Sequence, residues 1–239
     1  MMFLANPVRF IRLANAILPW VKWGALIAFA VGLYWGLVVA PVDYQQGDTV
    51  RIMFIHVPAA VLAQGIFVFM AVASAVALIW KHPLADLAAK AAAPIGAGLA
   101  ALTLVTGSLW GKPMWGTYWV WDARLTSMLV QFFLYLGYIA LWQAFEDPAK
   151  AAKASSILAL VGVINVPIIK FSVEWWNTLH QPSSLMAKGG PAIDPSMLWP
   201  LAIMALAYSL YFVWIFLVRL KAEVLARRVR TQQLRMMER

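Results

Sequence analysis

The chain has 239 residues, of which 63% are hydrophobic and only 12% charged, and its formal net charge is +9. So apolar a composition excludes an ordinary soluble domain of this size, and the lack of cysteine excludes a disulfide framework and thiolate chemistry. The basic surplus does not describe a nucleic-acid surface, because the lysines and arginines stand at the ends of apolar stretches rather than on a soluble face.

Those apolar stretches recur, and about 20 such residues suffice for a helix to cross a hydrocarbon core of roughly 30 Å. In lipid every backbone polar group must be paired within the segment, so helices are expected. No period-2 alternation of the kind found in membrane barrels is present. The expected fold is all-α: a polytopic integral membrane protein of six transmembrane helices, with residues 1–239 forming one domain. Spans are predicted at 23–40, 57–80, 91–110, 125–145, 154–171 and 197–218. The first follows Arg9, Arg12 and Lys22 and reads as an uncleaved span, being too long and too far from the start for a signal peptide. Pro58 and Pro94 are expected in the first turns of spans two and three, where a missing N–H costs little. "IGAG" in span three reads as small residues that permit close helix contact. In span five, Pro167 beside Asn165 predicts a kink.

The distribution of lysine and arginine sets the orientation. Fourteen fall in the amino-terminal segment, the second–third and fourth–fifth connections and the tail after span six; five, Arg51, Lys112, Arg124, Lys170 and Lys188, fall on the other side. Both termini are therefore expected in the cytoplasm, with connections 41–56, 111–124 and 172–196 facing outward. His56 and His180 lie on outward connections, whereas His82 lies beside Lys81 on the cytoplasmic side.

At the second outward connection Trp110, Trp115, Tyr118, Trp119 and Trp121 fall within twelve residues, followed by Asp122 and Arg124. An interfacial aromatic belt is the plain reading of such residues. A helix over 115–122 lying along the interface would instead place Trp115, Tyr118, Trp119 and Asp122 on one face. That face would be a broad π surface with one acid at its edge, better suited to a large planar apolar ligand than to a lipid tail. Gly111, Pro113 and Gly116 would turn the loop in above the bilayer. Asp122 either orients Arg124 or caps span four.

"WGTYWVWDARLT" resembles the WGxxWxWDxRLT signature of the tryptophan-rich, WWD-motif haem-handling proteins of cytochrome c biogenesis, with Trp115, Gly116, Trp119, Trp121, Asp122, Arg124, Leu125 and Thr126 at its fixed positions. "FIHVPAA" and "WWNTLHQPSS" resemble the flanking histidine motifs of its haem exporter C branch, which also matches in length and span number. The resemblance implies that haem b is held at the periplasmic face of a bacterial inner membrane, with His56 and His180 as its axial ligands. On chemistry alone neutral imidazoles are common haem ligands, while a lone interfacial histidine is more often simply hydrogen-bonded. Haem propionates call for cationic partners, for which Arg51 and Arg124 face the expected side and Lys112 is a weaker candidate.

The resemblance further implies delivery to a periplasmic haem chaperone, and partnership with ATP-binding-cassette subunits and a small single-span membrane subunit. No GxxxxGK[ST] loop is present, and "GSLWGK" imitates one only superficially. The chain is thus expected to be a transfer component rather than an enzyme, with membrane lipid around it and no nucleic acid. The rival readings are a haem permease subunit and a b-type transmembrane electron-transfer protein; the first usually shows broken helices or ionisable groups at the midplane, the second histidines within the spans.

Overall fold

The computed structural model describes residues 6–176, 178–180 and 193–237. Six helical segments are long and apolar enough to cross a membrane: Pro7–Val39, Asp48–Trp80, Ala85–Trp115, Ala123–Ala144, Pro148–Trp175 and Pro195–Met237. The described residues form no β-strand; a single bridge joins Asp43 and Gly47 in the first connection.

Helix α1 (Pro7–Tyr34) is capped by Asn6, whose side chain accepts from the Val8 and Arg9 amides, and it closes in a π-helical turn, Trp35–Val39. A 3-10 turn, Asp48–Ile52, leads into α2 (Met53–Trp80), which stops where Lys81 takes a left-handed conformation. Helix α3 (Ala85–Trp115) follows, then α4 (Ala123–Ala144), whose first turn is capped by Asp122. Helix α5 (Pro148–Gly162), capped by Asp147, and α6 (Asn165–Trp175) together make the fifth span; α7 (Pro195–Met237) makes the sixth. α2 packs along α3 and α1 along α7, while α4 joins α3 to α5 and α6.

Helix association in lipid depends on close packing and interhelical hydrogen bonds. Gly96 of α3 illustrates both: a Cβ there would collide with Tyr135 Cζ, so the hydroxyl end of the phenol lies against bare backbone. From that position the Tyr135 hydroxyl donates to the Ala63 carbonyl at 2.6 Å, tying α4 to α2 across α3. Of the small residues of "IGAG", Gly96 serves close contact as expected, whereas Gly98 is exposed and a Cβ there would meet nothing within 4 Å.

Three local expectations are corrected. Pro58 and Pro94 are helix-interior residues, because α2 begins at Met53 and α3 at Ala85, well before the apolar stretches. Span five is broken rather than kinked: α5 ends at Gly162, two residues intervene, and Pro167 falls in the first turn of α6, where its missing N–H breaks no helical bond. At the break Asn165 Nδ2 donates to the Ser127 carbonyl at 2.9 Å and to Gln131 Oε1 at 3.2 Å, which ties α6 to α4. Finally, no helix forms over 115–122. Gly116, at φ 77°, terminates α3 by donating its N–H to the Lys112 carbonyl, and Asp122 is already the extended cap of α4. Between the helix stop at Gly116 and the helix start at Asp122, residues 117–121 run as non-helical chain.

Candidate functional site

His56 stands in the first turn of α2, and His82 just beyond that helix's far end. Twenty-eight residues separate the ends of α2, a rise of about 42 Å, so these two histidines occupy opposite ends of the bundle. His180 lies at the His56 end, brought there by the carboxyl-terminal turns of α3.

On those turns Gly107 and Gly111 share a face by their i, i+4 spacing. A Cβ on Gly107 would meet His56 Cε1 at 3.0 Å, and one on Gly111 would meet Trp115 Cε3 at 2.8 Å. The imidazole of α2 and the indole ending α3 therefore lie on successive bare patches of one helix face, about 6 Å apart along its axis. The His180 ring packs edge-on against Trp115, with centroids 4.7 Å apart at 65°. The His56 ring meets Trp110 in the same manner at 5.7 Å and 75°. Trp110 in turn donates from Nε1 to Gln46 Oε1 at 2.9 Å, which fastens the first connection to α3.

Each imidazole has its Nδ1 engaged. For His56 the partner is Thr106 Oγ1 at 3.0 Å. That hydroxyl gives its own proton to the Leu102 carbonyl at 2.7 Å, so toward the ring it is an acceptor and Nδ1 carries the hydrogen. For His180 the partner is Asp122 Oδ2 at 3.1 Å, and a carboxylate likewise calls for a protonated Nδ1. Both rings are thereby fixed in the tautomer whose Nε2 holds a free lone pair. Burial pushes the His180 imidazolium below its ordinary pKa; the bond to Asp122 pulls the other way but is outweighed, and nearby Arg124 adds to the lowering. The neutral ligand form is thus favoured.

Asp122 does two jobs with its two oxygens. Oδ1 accepts from the Leu125 amide at 2.8 Å and caps α4, while Oδ2 holds His180. Of the two roles considered for it, the cap is the one formed. Arg124 reaches α6, its Nε donating to Ser172 Oγ at 3.4 Å and its Nη2 to the Lys170 carbonyl at 3.3 Å. Lys112 closes the end of α3 by donating from Nζ to the Gly116 carbonyl at 2.9 Å, and the same ammonium sits 5.2 Å from the Tyr118 ring centroid.

The expected single aromatic face, with Trp115, Tyr118, Trp119 and Asp122 side by side on a helix, is not formed. Trp119 instead meets Trp121 edge-on at 5.4 Å, and its Nε1 is buried without a hydrogen-bond partner among the described residues. Trp121 is 75% exposed and Tyr118 56% exposed. Arg51 is directed elsewhere: Nε pairs with Asp48 at 3.2 Å, and Nη1 donates to the Leu37 carbonyl at the end of the first span. The structure therefore gathers His56, His180, Trp115, Asp122 and Arg124 around the ends of α3 and α4. Thr106 and Gly107 join them unforeseen, with Gly111, which was expected to turn the loop but lies, like Pro113, inside α3; the small-xxx-small spacing of the two glycines was a visible signal. Of the motif "WWNTLHQPSS", residues 177 and 181–184 lie outside the described residues, as does Lys188.

Comparison with known proteins gives a consistent result. The family model described as Heme exporter protein C matches residues 1–235. A heme exporter protein C of Bradyrhizobium diazoefficiens is 58% identical over 231 residues, covering 97% of this chain and 88% of its own. Similar are heme exporter protein C of Escherichia coli, 49% identical over 222 residues (93% and 89%), and of Rhodobacter capsulatus, 42% identical over 232 residues (97% and 96%).

Proposed function

Because the chain belongs to the heme exporter protein C family, we propose that it binds haem b at the His56–His180 end of its bundle and hands it on during cytochrome c maturation. The observation that carries this reading is the pair of imidazoles on adjoining surfaces, each engaged through Nδ1, which leaves Nε2 of each as the nitrogen to bind iron. Two such nitrogens meet iron from opposite faces of a porphyrin, which supplies the remaining donors itself.

The neighbouring residues suit the rest of that cargo. Trp115, Trp119, Trp121 and Tyr118 offer aromatic contact to the macrocycle. The unpartnered Trp119 Nε1 and the Nη1 of Arg124 are donors for propionate oxygens. Arg51 serves as a second cation only by giving up Asp48. The half-open aromatic rim, with Trp121 and Tyr118 exposed, leaves an edge of the porphyrin to an acceptor, a periplasmic haem chaperone.

The basic asymmetry supports a periplasmic position for this end at a bacterial inner membrane, with both termini in the cytoplasm. The chain acts as a carrier rather than a catalyst. ATP hydrolysis belongs to partner ATP-binding-cassette subunits, which act on release of the loaded acceptor, and a small single-span subunit completes the assembly. A b-type electron-transfer role is disfavoured by both histidines standing at one end. A permease role draws some support from the break in span five, yet Asn165 there is bonded within the protein and Gly162 packs against Phe67 and Leu134.

The test is an absorption spectrum of the purified protein with and without dithionite. A six-coordinate, bis-histidine haem spectrum is expected in wild type. Preparations from haem-replete membranes that hold no haem, and take up none when it is added, would defeat the proposal.

A further inference from the structure

The two histidines are held by partners of different kinds. His180 Nδ1 meets a carboxylate oxygen of Asp122, a residue only 8% exposed and anchored by the Leu125 amide. His56 Nδ1 meets the neutral Thr106 hydroxyl, whose proton is committed to Leu102. Hydrogen bonds to an ionised acceptor are roughly twice as strong as neutral ones. A carboxylate behind an imidazole also raises the basicity of the nitrogen on its far side.

We infer that the axial pair is electronically unequal: Asp122 is a positioning residue that makes His180 the stronger donor to haem iron, while Thr106 leaves His56 the weaker one. The inference rests on haem ligation by both histidines. Its basis is the contrast of second partners, a carboxylate behind His180 against the neutral Thr106 hydroxyl and Thr103 carbonyl behind His56, on rings each edge-on to a tryptophan of α3. Negative charge relayed through His180 stabilises ferric over ferrous iron, so Asp122 sets the reduction potential. The bond to His56 is then the one more readily exchanged when an acceptor brings its own ligand.

Asp122→Asn separates this role from the structural one. Asparagine caps helices as well as aspartate does, so α4 keeps its start while His180 loses both the charge and the acceptor behind it, because the amide nitrogen left facing Nδ1 only donates. In the purified full-length protein loaded with haem, Asp122→Asn is expected to shift the ferric–ferrous equilibrium at least tenfold toward ferrous, or about 59 mV for one electron. Thr106→Val is expected to shift it far less. His180→Ala is expected to lose more haem than His56→Ala. Equal potentials in Asp122→Asn and wild type, or a larger shift in Thr106→Val, would overturn the inference while the bis-histidine spectrum of wild type still upheld ligation. A spectrum unchanged in both His56→Ala and His180→Ala would instead bring down the ligation reading beneath it. Circular dichroism and thermal melting of Asp122→Asn, expected to match wild type, keep a folding defect from passing as a shift in potential.

Discussion

The imidazole of His56 rests on the bare backbone of Gly107, its Cε1 only 3.0 Å from where a Cβ would stand. The ring's position is thus set by a missing side chain on the neighbouring helix. Gly107→Val fills that space and pushes the imidazole away from Thr106 and Trp110. It is expected to lower copurifying haem at least tenfold while membrane level and helicity stay near wild type. Gly65→Ala, whose added Cβ meets nothing within 4 Å, is the control expected to leave haem content unchanged. Equal haem in Gly107→Val and wild type would show that the ring does not need this seat.

The lowered pKa of His180 fixes the direction of a pH effect. Burial disfavours its charged form, so in the folded protein it stays neutral below the ordinary histidine value of about 6.5. Haem affinity measured by titration of the apo-protein is therefore expected to be flat from pH 7.5 through 6.5 and to fall only in more acid buffer. Stability follows the same sign. The unfolded chain takes up this proton first, so the group's contribution is constant above about pH 6.5, declines as pH falls from there toward the folded value, and levels off once both states are protonated. An affinity already halved at pH 6.5 would contradict the buried, neutral ligand.

Aromatic contact and ligation make different signatures. A large aromatic side chain buries roughly 150–250 Å²; losing half of one such contact weakens binding by about 2–3 kcal/mol at about 25 cal/mol per Å². The double variant Trp115→Ala with Trp119→Ala is expected to hold less haem, with the iron spectrum of the remainder unchanged. Undiminished haem content at equal membrane level would return these residues to the role of a plain interfacial belt.

Orientation is tested independently of haem. A reporter active only in the cytoplasm, fused after Arg239, is expected to be active, and a reporter active only in the periplasm, inserted beside Lys188, is expected to be active too. The reverse pattern would put the His56–His180 end on the wrong side of the membrane.

Much of this was legible in the sequence, for reasons that differ by element. The six spans were visible because lipid demands long uninterrupted apolar runs, and that demand is local. Their ends were not, because Asn6, Asp122 and Asp147 cap helices that begin outside the apolar run. The break in span five was half visible, as Pro167 marked the place but not whether the helix bends or stops. His56, His180, Trp115 and Asp122 could be singled out by residue type and side of the membrane. Their partnership could not: the bond between His180 and Asp122 spans 58 positions, and that between His56 and Thr106 spans 50. The helix expected over 115–122 failed because periodicity was read through Gly116, whose left-handed φ ends α3 at that point.

Haem binding at the His56–His180 end depends first on which histidines hold the iron. Single alanine variants of His56, His180 and His82, purified at matched membrane levels, can be compared by haem content and by oxidised and reduced absorption spectra. His56→Ala and His180→Ala are expected to lose haem and the six-coordinate spectrum together, whereas His82, whose Nδ1 merely accepts from the Leu84 amide at the far end of α2, is expected to be dispensable. Wild-type spectra and haem content in both His56→Ala and His180→Ala, or loss confined to His82→Ala, would contradict it.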